Sequence, residues 1–443
     1  MAGGRKSKTA AIARPQTSLV LDNGAYSLKA GFAESTNGPR IIPNCIARDR
    51  ARKIYVGSEV EKCRDFGEMQ FRRPVEKGFI VGWEAQKEIW DHELFDDKAP
   101  LHCDPTETRL VLAEPPNGLP ALQSNCDQIV FEEYGFASYY RGTGAAFNAY
   151  LDIQSLFAPP DQSTVNPTEI PAEIAMVIDS GYSHTTVTPL INGRPLQSAV
   201  RRLDVGGKVL TNFLTRLIST RHFDVRNDTY IVNEMKEAAC FVSADFKADL
   251  EKTWKGTRGE RREKSLIMKD YVLPDFHTRS KGQLRDHDAE RHSRARKLAA
   301  TVTAEEDILT LGNERFTVPE LLFTPSDVGI HQPGIADLVW QSLQSLPVGL
   351  WPGLLANIVV VGGNTMLHGF VDRLRNEVVE RVPDECNVRV ARPEGPIVST
   401  WTGAAAMATH ANMEKLAVSK QDYEEMGAAL VARKFATGLN AVP

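Results

Sequence analysis

Short apolar runs, each closed by a polar turn, alternate along this chain with stretches whose apolar residues recur every three or four positions. The runs predict buried strands and the stretches predict amphipathic helices, so the whole pattern predicts an α/β protein. Leu19-Val20-Leu21 leads into Asp22-Asn23-Gly24 and out again through Lys29 to Ala33. Asn23-Gly24 predicts a hairpin turn, because both residues tolerate positive φ. Ala175-Met176-Val177-Ile178 leads into Asp179-Ser180-Gly181 and out through Thr185-Thr186-Val187. Ile358-Val359-Val360-Val361 leads into Gly362-Gly363-Asn364-Thr365, with a helix predicted from Met366 to about Val379. Helices are also predicted over Trp83 to Phe95, Ser124 to Glu133, Ala145 to Phe157, Val209 to Ser219, Gly334 to Leu346 and Trp401 to His410. A capped final helix is predicted after Ser419.

The first two hairpins share one pattern: apolar strand, Asp, small polar residue, Gly, outgoing strand. Their acids stand 157 positions apart, at 22 and 179. Self-similarity at domain spacing predicts duplicated α/β halves facing each other. With no side chain at Gly24, backbone N–H groups at the tip can approach an anion, and Asp22 beside it suits a hydrated divalent metal. Glycines 362 and 363 at a strand-to-helix turn expose N–H groups and a positive helix end, which favours a nucleotide's phosphates or sugar. Each piece alone reads equally well as an ordinary tight turn; together they predict two halves closing on one phosphate chain. Other nucleotide motifs fall short. Gly207-Lys208 is followed by Val209, so it is no Walker loop, and Gly142-Thr143-Gly144 runs to Phe147 where a dinucleotide fingerprint needs a small residue.

The 443 residues suffice for two to four lobes, and the net charge of −5 excludes a simple polyanion binder. Six cysteines without a Cys-x-x-Cys pair read as reduced thiols of an intracellular protein. No apolar run reaches membrane-spanning length, and no secretory signal opens the chain. Two regions depart from the average. Residues 1–17 carry Arg5, Lys6, Lys8 and Arg14 with no acid, which suits a nuclear address, a nucleic-acid contact or a solvated terminus. Residues 251–300 hold 14 Lys and Arg against 8 Asp and Glu, broken by one apolar island, Tyr271 to Phe276. The basic part of that stretch reads as a mobile surface insertion, either a solvated loop or a contact with DNA.

The motifs resemble those of the actin-fold family over nearly all of Ser18 to Phe435. Asp22, Asn23, Gly24 and Lys29 match the family's first phosphate loop, and Asp179, Ser180 and Gly181 its second. Gly362, Gly363, Asn364, Thr365 and Met366 match the adenosine-side loop. Lys236 and Glu237 match the pair beside base and ribose. The resemblance implies ribonuclease-H-like halves around a nucleotide cleft. Its ligand would be ATP with Mg, or ADP, or none, with the metal held through water by Asp22 and Asp179. It also implies a division of the chain. A disordered tail (1–17) precedes a small half (18–165) with a short insertion at 43–75. A large half (166–399) carries an insertion at 206–305, and C-terminal helices (400–443) pack back on the small half.

Blocks outside the loops, including Tyr271 to Phe276 and Asn313 to Glu320, resemble an actin-related branch of the family. That branch implies a nuclear subunit of a chromatin remodeller that exchanges a histone variant. Its partners would be the motor subunit and a small zinc-finger-type subunit, with DNA or nucleosome contact through 251–300. Several positions depart from actins. Where actins place a glutamine and a histidine to align the attacking water, this chain has Gly144 and Thr186. Tyr182 replaces an acid of the second loop, Ala25 and Tyr26 replace a hydroxyl and a glycine of the first, and Pro396 stands about where actins carry a lysine. The loop after Asn44 is short where actins grip the next subunit. These departures predict a non-polymerising scaffold with little or no hydrolysis. A sugar-kinase-like ATPase and a cytoskeletal filament protein are the alternatives.

Overall fold

A computed structural model describes residues 17–99, 101–157, 171–254, 267–276, 279–288 and 307–436. Two six-stranded sheets dominate. The first holds β1 (Thr17–Asn23), β2 (Ser27–Phe32), β3 (Arg40–Pro43), β4 (Thr108–Glu114) and β5 (Ser138–Thr143). The second holds β6 (Ile174–Ser180), β7 (Thr185–Ile191), β8 (Arg194–Pro195), β9 (Ile358–Val361) and β10 (Val390–Ala391). The orders match: β3-β2-β1-β4-β5 in one, β8-β7-β6-β9-β10 in the other. In each, an antiparallel hairpin lies beside two parallel strands. Registers match as well. Asp22 pairs with Lys29 and Asn23 with Leu28, as Asp179 pairs with Thr186 and Ser180 with Thr185. The duplication expected from the two Asp motifs is therefore present strand by strand.

Both central hairpins are buried on two faces, which explains their unbroken apolar runs. Leu19, Leu21 and Leu28 pack into the core of the small half with Trp90, Phe131 and Tyr139. Met176, Ile178 and Val360 pack into that of the large half with Leu210, Leu214 and Phe370. Beyond residue 399 the chain returns to the small half. Helix Ser399–Ala408 lays Trp401 on β1, its Nε1 donating to the Val20 carbonyl at 3.0 Å. Strand Val418–Ser419 extends the first sheet beside β5, and Val431 and Phe435 join that half's core.

Several local expectations need correction. Asn23 and Gly24 do not adopt positive φ. Three residues, 24 to 26, join the strands, and Gly24 is required for space: a Cβ there would lie 2.7 Å from the Ser27 carbonyl oxygen. The helix expected from Met366 begins at Phe370, because Gly369 turns left-handed at φ 83° after a short turn, Gly363–Met366. The helix expected over Ala145 to Phe157 is two pieces, Gly144–Asn148 and Ile153–Leu156, and the one expected from Ser124 starts at Pro120. Ser419 and Asp422 form the expected capping box, but a further helix, Ala428–Lys434, follows it.

The apolar island of the basic stretch is core. Tyr271 and Val272 are fully buried in strand Lys269–Val272, which pairs with Gln283–Asp286 and Ile308–Leu311. That part is a packed sheet rather than a mobile loop, while 255–266, 277–278 and 289–300 lie outside the described residues, as do 1–16 and 158–170. Where a long loop was expected to be missing, strands Ile46–Arg48 and Ile54–Val56 are joined directly through 49–53. No helix among the described residues is long and apolar enough to cross a membrane.

Candidate nucleotide cleft

The two hairpin tips face each other, and their acids are close enough to interact. Asp179 is packed round by protein at the base of the cleft; burial, and then the Asp22 carboxylate, push its carboxyl up to about 7, with Lys29 pulling the other way. Lys29, opposite Asp22 in register, holds its Nζ 3.3 Å from Asp22 Oδ2. Two carboxylates against one ammonium leave an excess negative charge that suits a cation. Among the described residues no cluster of three or more metal-type side chains exists, so a metal there would be held mostly through water.

The neighbouring tip residues are structural. Asn23 accepts from Trp90 Nε1 at 3.1 Å and donates to Gln86 Oε1 at 3.0 Å, which ties the first tip to helix Trp83–Trp90. Ser180 Oγ lies 2.9 Å from Thr185 Oγ1, and Asn364 Nδ2 donates to the Gly181 carbonyl at 2.7 Å, so the second tip is tied to the loop after β9. Gly362, at φ 91°, lets that loop pass over β6: a Cβ would strike the Ser180 carbonyl and come within 2.8 Å of Asp179 Oδ1. Gly363 borders open space, Thr365 donates back to the Gly362 carbonyl at 2.7 Å, and Met366 is exposed.

Helix Thr229–Ala239 forms the wall between the tips and the large half. Lys236 is buried and donates to Asn233 Oδ1 at 2.8 Å, Thr211 Oγ1 at 3.1 Å and the Gly207 carbonyl at 3.3 Å. Burial depresses its ammonium pKa. Glu237 accepts from Asn233 Nδ2 at 2.8 Å. Thus Asp22, Lys29, Asp179 and Gly362 converge on one floor, Asn364, Ser180 and Gly181 brace it, and Lys236 and Glu237 stand in the wall.

Sequence reasoning missed what lies between floor and wall. Tyr26 from the first tip and Tyr182 from the second meet with ring centroids 5.0 Å apart. The Arg73 guanidinium sits 4.6 Å over the Tyr26 ring and 5.2 Å over the Tyr182 ring, and its Nη1 donates to the Tyr26 carbonyl at 3.1 Å. The Tyr26 hydroxyl accepts from Asn233 Nδ2 at 3.3 Å. Tyr182 rests against Gly207, where a Cβ would lie 3.3 Å from its Cδ2. Both tyrosines stood out in the sequence as bulk in the loops; nothing local marked Arg73 as their partner.

Comparison with known proteins agrees with this duplicated architecture. The actin family model matches residues 13–436.

The chain belongs to the actin family.

It is 66% identical to actin-related protein 6 of Neurospora crassa, covering 100% of this chain and 99% of that protein. It is 49% identical to the actin-like protein arp6 of Aspergillus fumigatus, over 95% of each chain. It is 36% identical to actin-related protein 6 of Drosophila melanogaster, over 92% of this chain and 97% of that one. The chain is thus an actin-related protein.

Measured against the actin fold's usual nucleotide, the floor and the wall differ. The floor's half-buried Asp22 and Asp179 carboxyls fit a hydrated cation and, through it, a phosphate chain. On the wall side, the space the family resemblance gives to sugar and base, beside Lys236 and Glu237, is where the Tyr26 hydroxyl and the Tyr182 ring stand. At the two positions where the family resemblance places water-aligning side chains, this chain has Gly144 and Thr186. At Gly144 a Cβ would meet the Thr400 methyl at 3.3 Å, and Thr186 is buried opposite Asp179 in the sheet.

Proposed function

We propose that this chain is a non-polymerising, actin-related scaffold subunit of a nuclear ATP-dependent chromatin-remodelling complex that exchanges a histone variant, and that it does not itself turn over ATP. The observation that carries the second half is the lack of a water-aligning side chain. Phosphoryl transfer to water depends on positioning, and Gly144 and Thr186 offer neither an amide nor an imidazole beside the acids. Asp22 and Asp179 are better used as partners of a cation than as a general base. Support for the first half comes from the resemblance of the whole chain to actin-related protein 6, and from the five-residue connection 49–53 that stands where actins reach for the next subunit. In this reading the motor subunit supplies the ATPase and a small zinc-finger-type subunit sits beside this chain, with the basic stretch 251–300 available to DNA. Any nucleotide held in the cleft is a structural ligand.

The test is affinity purification of the tagged chain from nuclear extract, followed by an ATPase assay of the chain alone. Co-elution with a remodelling motor, and phosphate release no faster than buffer, are expected. A chain that elutes without a motor, pellets as filaments in polymerising salt, or hydrolyses ATP as fast as actin contradicts the reading.

A further inference from the structure

The contacts that cross the cleft are made by the protein's own side chains from floor to mouth. At the tips stands the Tyr26–Arg73–Tyr182 cluster already described. Beside it, His184 of the second tip sets the Cε1 edge of its ring against Gly78 of the small half, whose left-handed φ of 90° and missing Cβ make that approach possible. Arg202 Nη2 of the large half donates to the Lys77 carbonyl at 2.9 Å. At the mouth, Phe66 stacks on Tyr230 with centroids 4.0 Å apart and planes within 8°. Those two rings belong to an apolar cluster that joins Cys45, Tyr55 and Met69 of the small half to Tyr230 and Phe276 of the large half. The Glu68 backbone N–H donates to Asp228 at 3.0 Å beside it.

A nucleotide-dependent clamp needs its lobes to be held together by the ligand, so that binding stabilises the closed form by mass action. Here a half-buried cation–π cluster of Arg73 with two tilted tyrosine rings, and the Phe66–Tyr230 ring stack, already supply that closure. We infer that Tyr26, Arg73 and Tyr182 replace the nucleoside as the clasp between the halves, so that this actin-fold cleft is shut, and stays shut, without ATP. This deepens the scaffold reading and rests on it only in asking no turnover of the cleft. In this inference the floor is left to a hydrated cation, which its two carboxyls against one ammonium suit, and a purine nucleoside is excluded.

The test uses the purified full chain, separated from the motor subunit. Denaturing the purified protein and separating the supernatant by ion-pair chromatography should yield well under one nucleotide per ten chains, and about 1 mM MgATP should leave the melting temperature within about 1 °C. The Tyr26→Gly, Tyr182→Asp double variant reopens the wall. It should melt several degrees lower and recover several degrees with the same MgATP. Stoichiometric ATP or ADP in the wild type, or a wild-type shift of several degrees, overturns the inference. A folded double variant that ignores MgATP overturns the assignment of the tyrosines as the block. If the double variant does not fold, Tyr182→Asp alone and the wild-type nucleotide content decide. Loss of motor co-elution, by contrast, bears on the scaffold reading and leaves this one standing.

Discussion

The two hairpin tips have the same register and carry the same acid at the same place, yet their chemistry differs. Opposite Asp22 the sheet presents Lys29, an ammonium within salt-bridge distance. Opposite Asp179 it presents Thr186, which is neutral and buried. The first acid is compensated by its own hairpin; the second has burial and a neighbouring carboxylate against it and holds its proton up to about 7. A duplicated backbone therefore does not duplicate electrostatics. One side chain in the facing strand decides whether an acid at a tip is already satisfied or awaits a cation.

Removing the cation should have the largest effect. Lys29→Met leaves Asp22 and Asp179 facing each other uncompensated, and breaking a largely buried pair from one side costs about 3 kcal/mol. Urea denaturation at pH 8 should show most of that loss, and at pH 4.5, where Asp179 is protonated, much less. An equal loss at both pH values would mean that Lys29 does not serve the second acid.

The next prediction concerns Asp179 itself. A carboxyl with its folded pKa raised above the ordinary value stabilises the fold when protonated, and that contribution is lost as pH rises from about 4 to about 7. Asp179→Asn should therefore stabilise the protein by about 2 kcal/mol at pH 8 and hardly at all at pH 4, allowing for the partial solvent access of the floor. Destabilisation at pH 8 would show that the charged form is already paired in solution, for example with a bound cation.

His184 titrates in the opposite sense. Burial, and then Arg202, hold its imidazole down to about 4, so its contribution is complete above the ordinary histidine value and fades as pH falls from about 6.5 towards 4. With Asp179→Asn removing the competing titration, acidification from pH 7.5 to 5.5 should cost about 1 kcal/mol. His184→Leu added to Asp179→Asn should remove that part of the slope and leave what other groups contribute, such as Asp127, whose carboxyl burial pushes up to about 6. An unchanged slope would place the titrating group elsewhere.

The floor of this site was legible in the sequence because it is local. An apolar run, an acid and a glycine are neighbours in the chain, and their recurrence at 22 and 179 announces the second half. What fills the space between floor and wall was not legible, for the opposite reason. Tyr26 meets Tyr182, Arg73 covers both rings, and Phe66 meets Tyr230 only after folding brings the halves together. The turn at Asn23-Gly24 was misread because composition suggests φ where the structure uses the glycine for clearance. The helix after Gly362 was placed too early because Met366 and Leu367 fit the apolar period, while Gly369 breaks the backbone between them and Phe370. The island Tyr271 to Phe276 stood out as an apolar break in a basic stretch, but its charged flanks hid its partners, strands Gln283–Asp286 and Ile308–Leu311.

The most direct measurement is hydrogen exchange at the backbone of residues 22–28 and 179–185 in the native complex, with and without MgATP. Closure by the protein's own tyrosines predicts tips that are strongly protected in both conditions, with no change on adding nucleotide. Tips that exchange freely alone and become protected with MgATP would show that the ligand, and not the Tyr26–Arg73–Tyr182 cluster, holds the halves together.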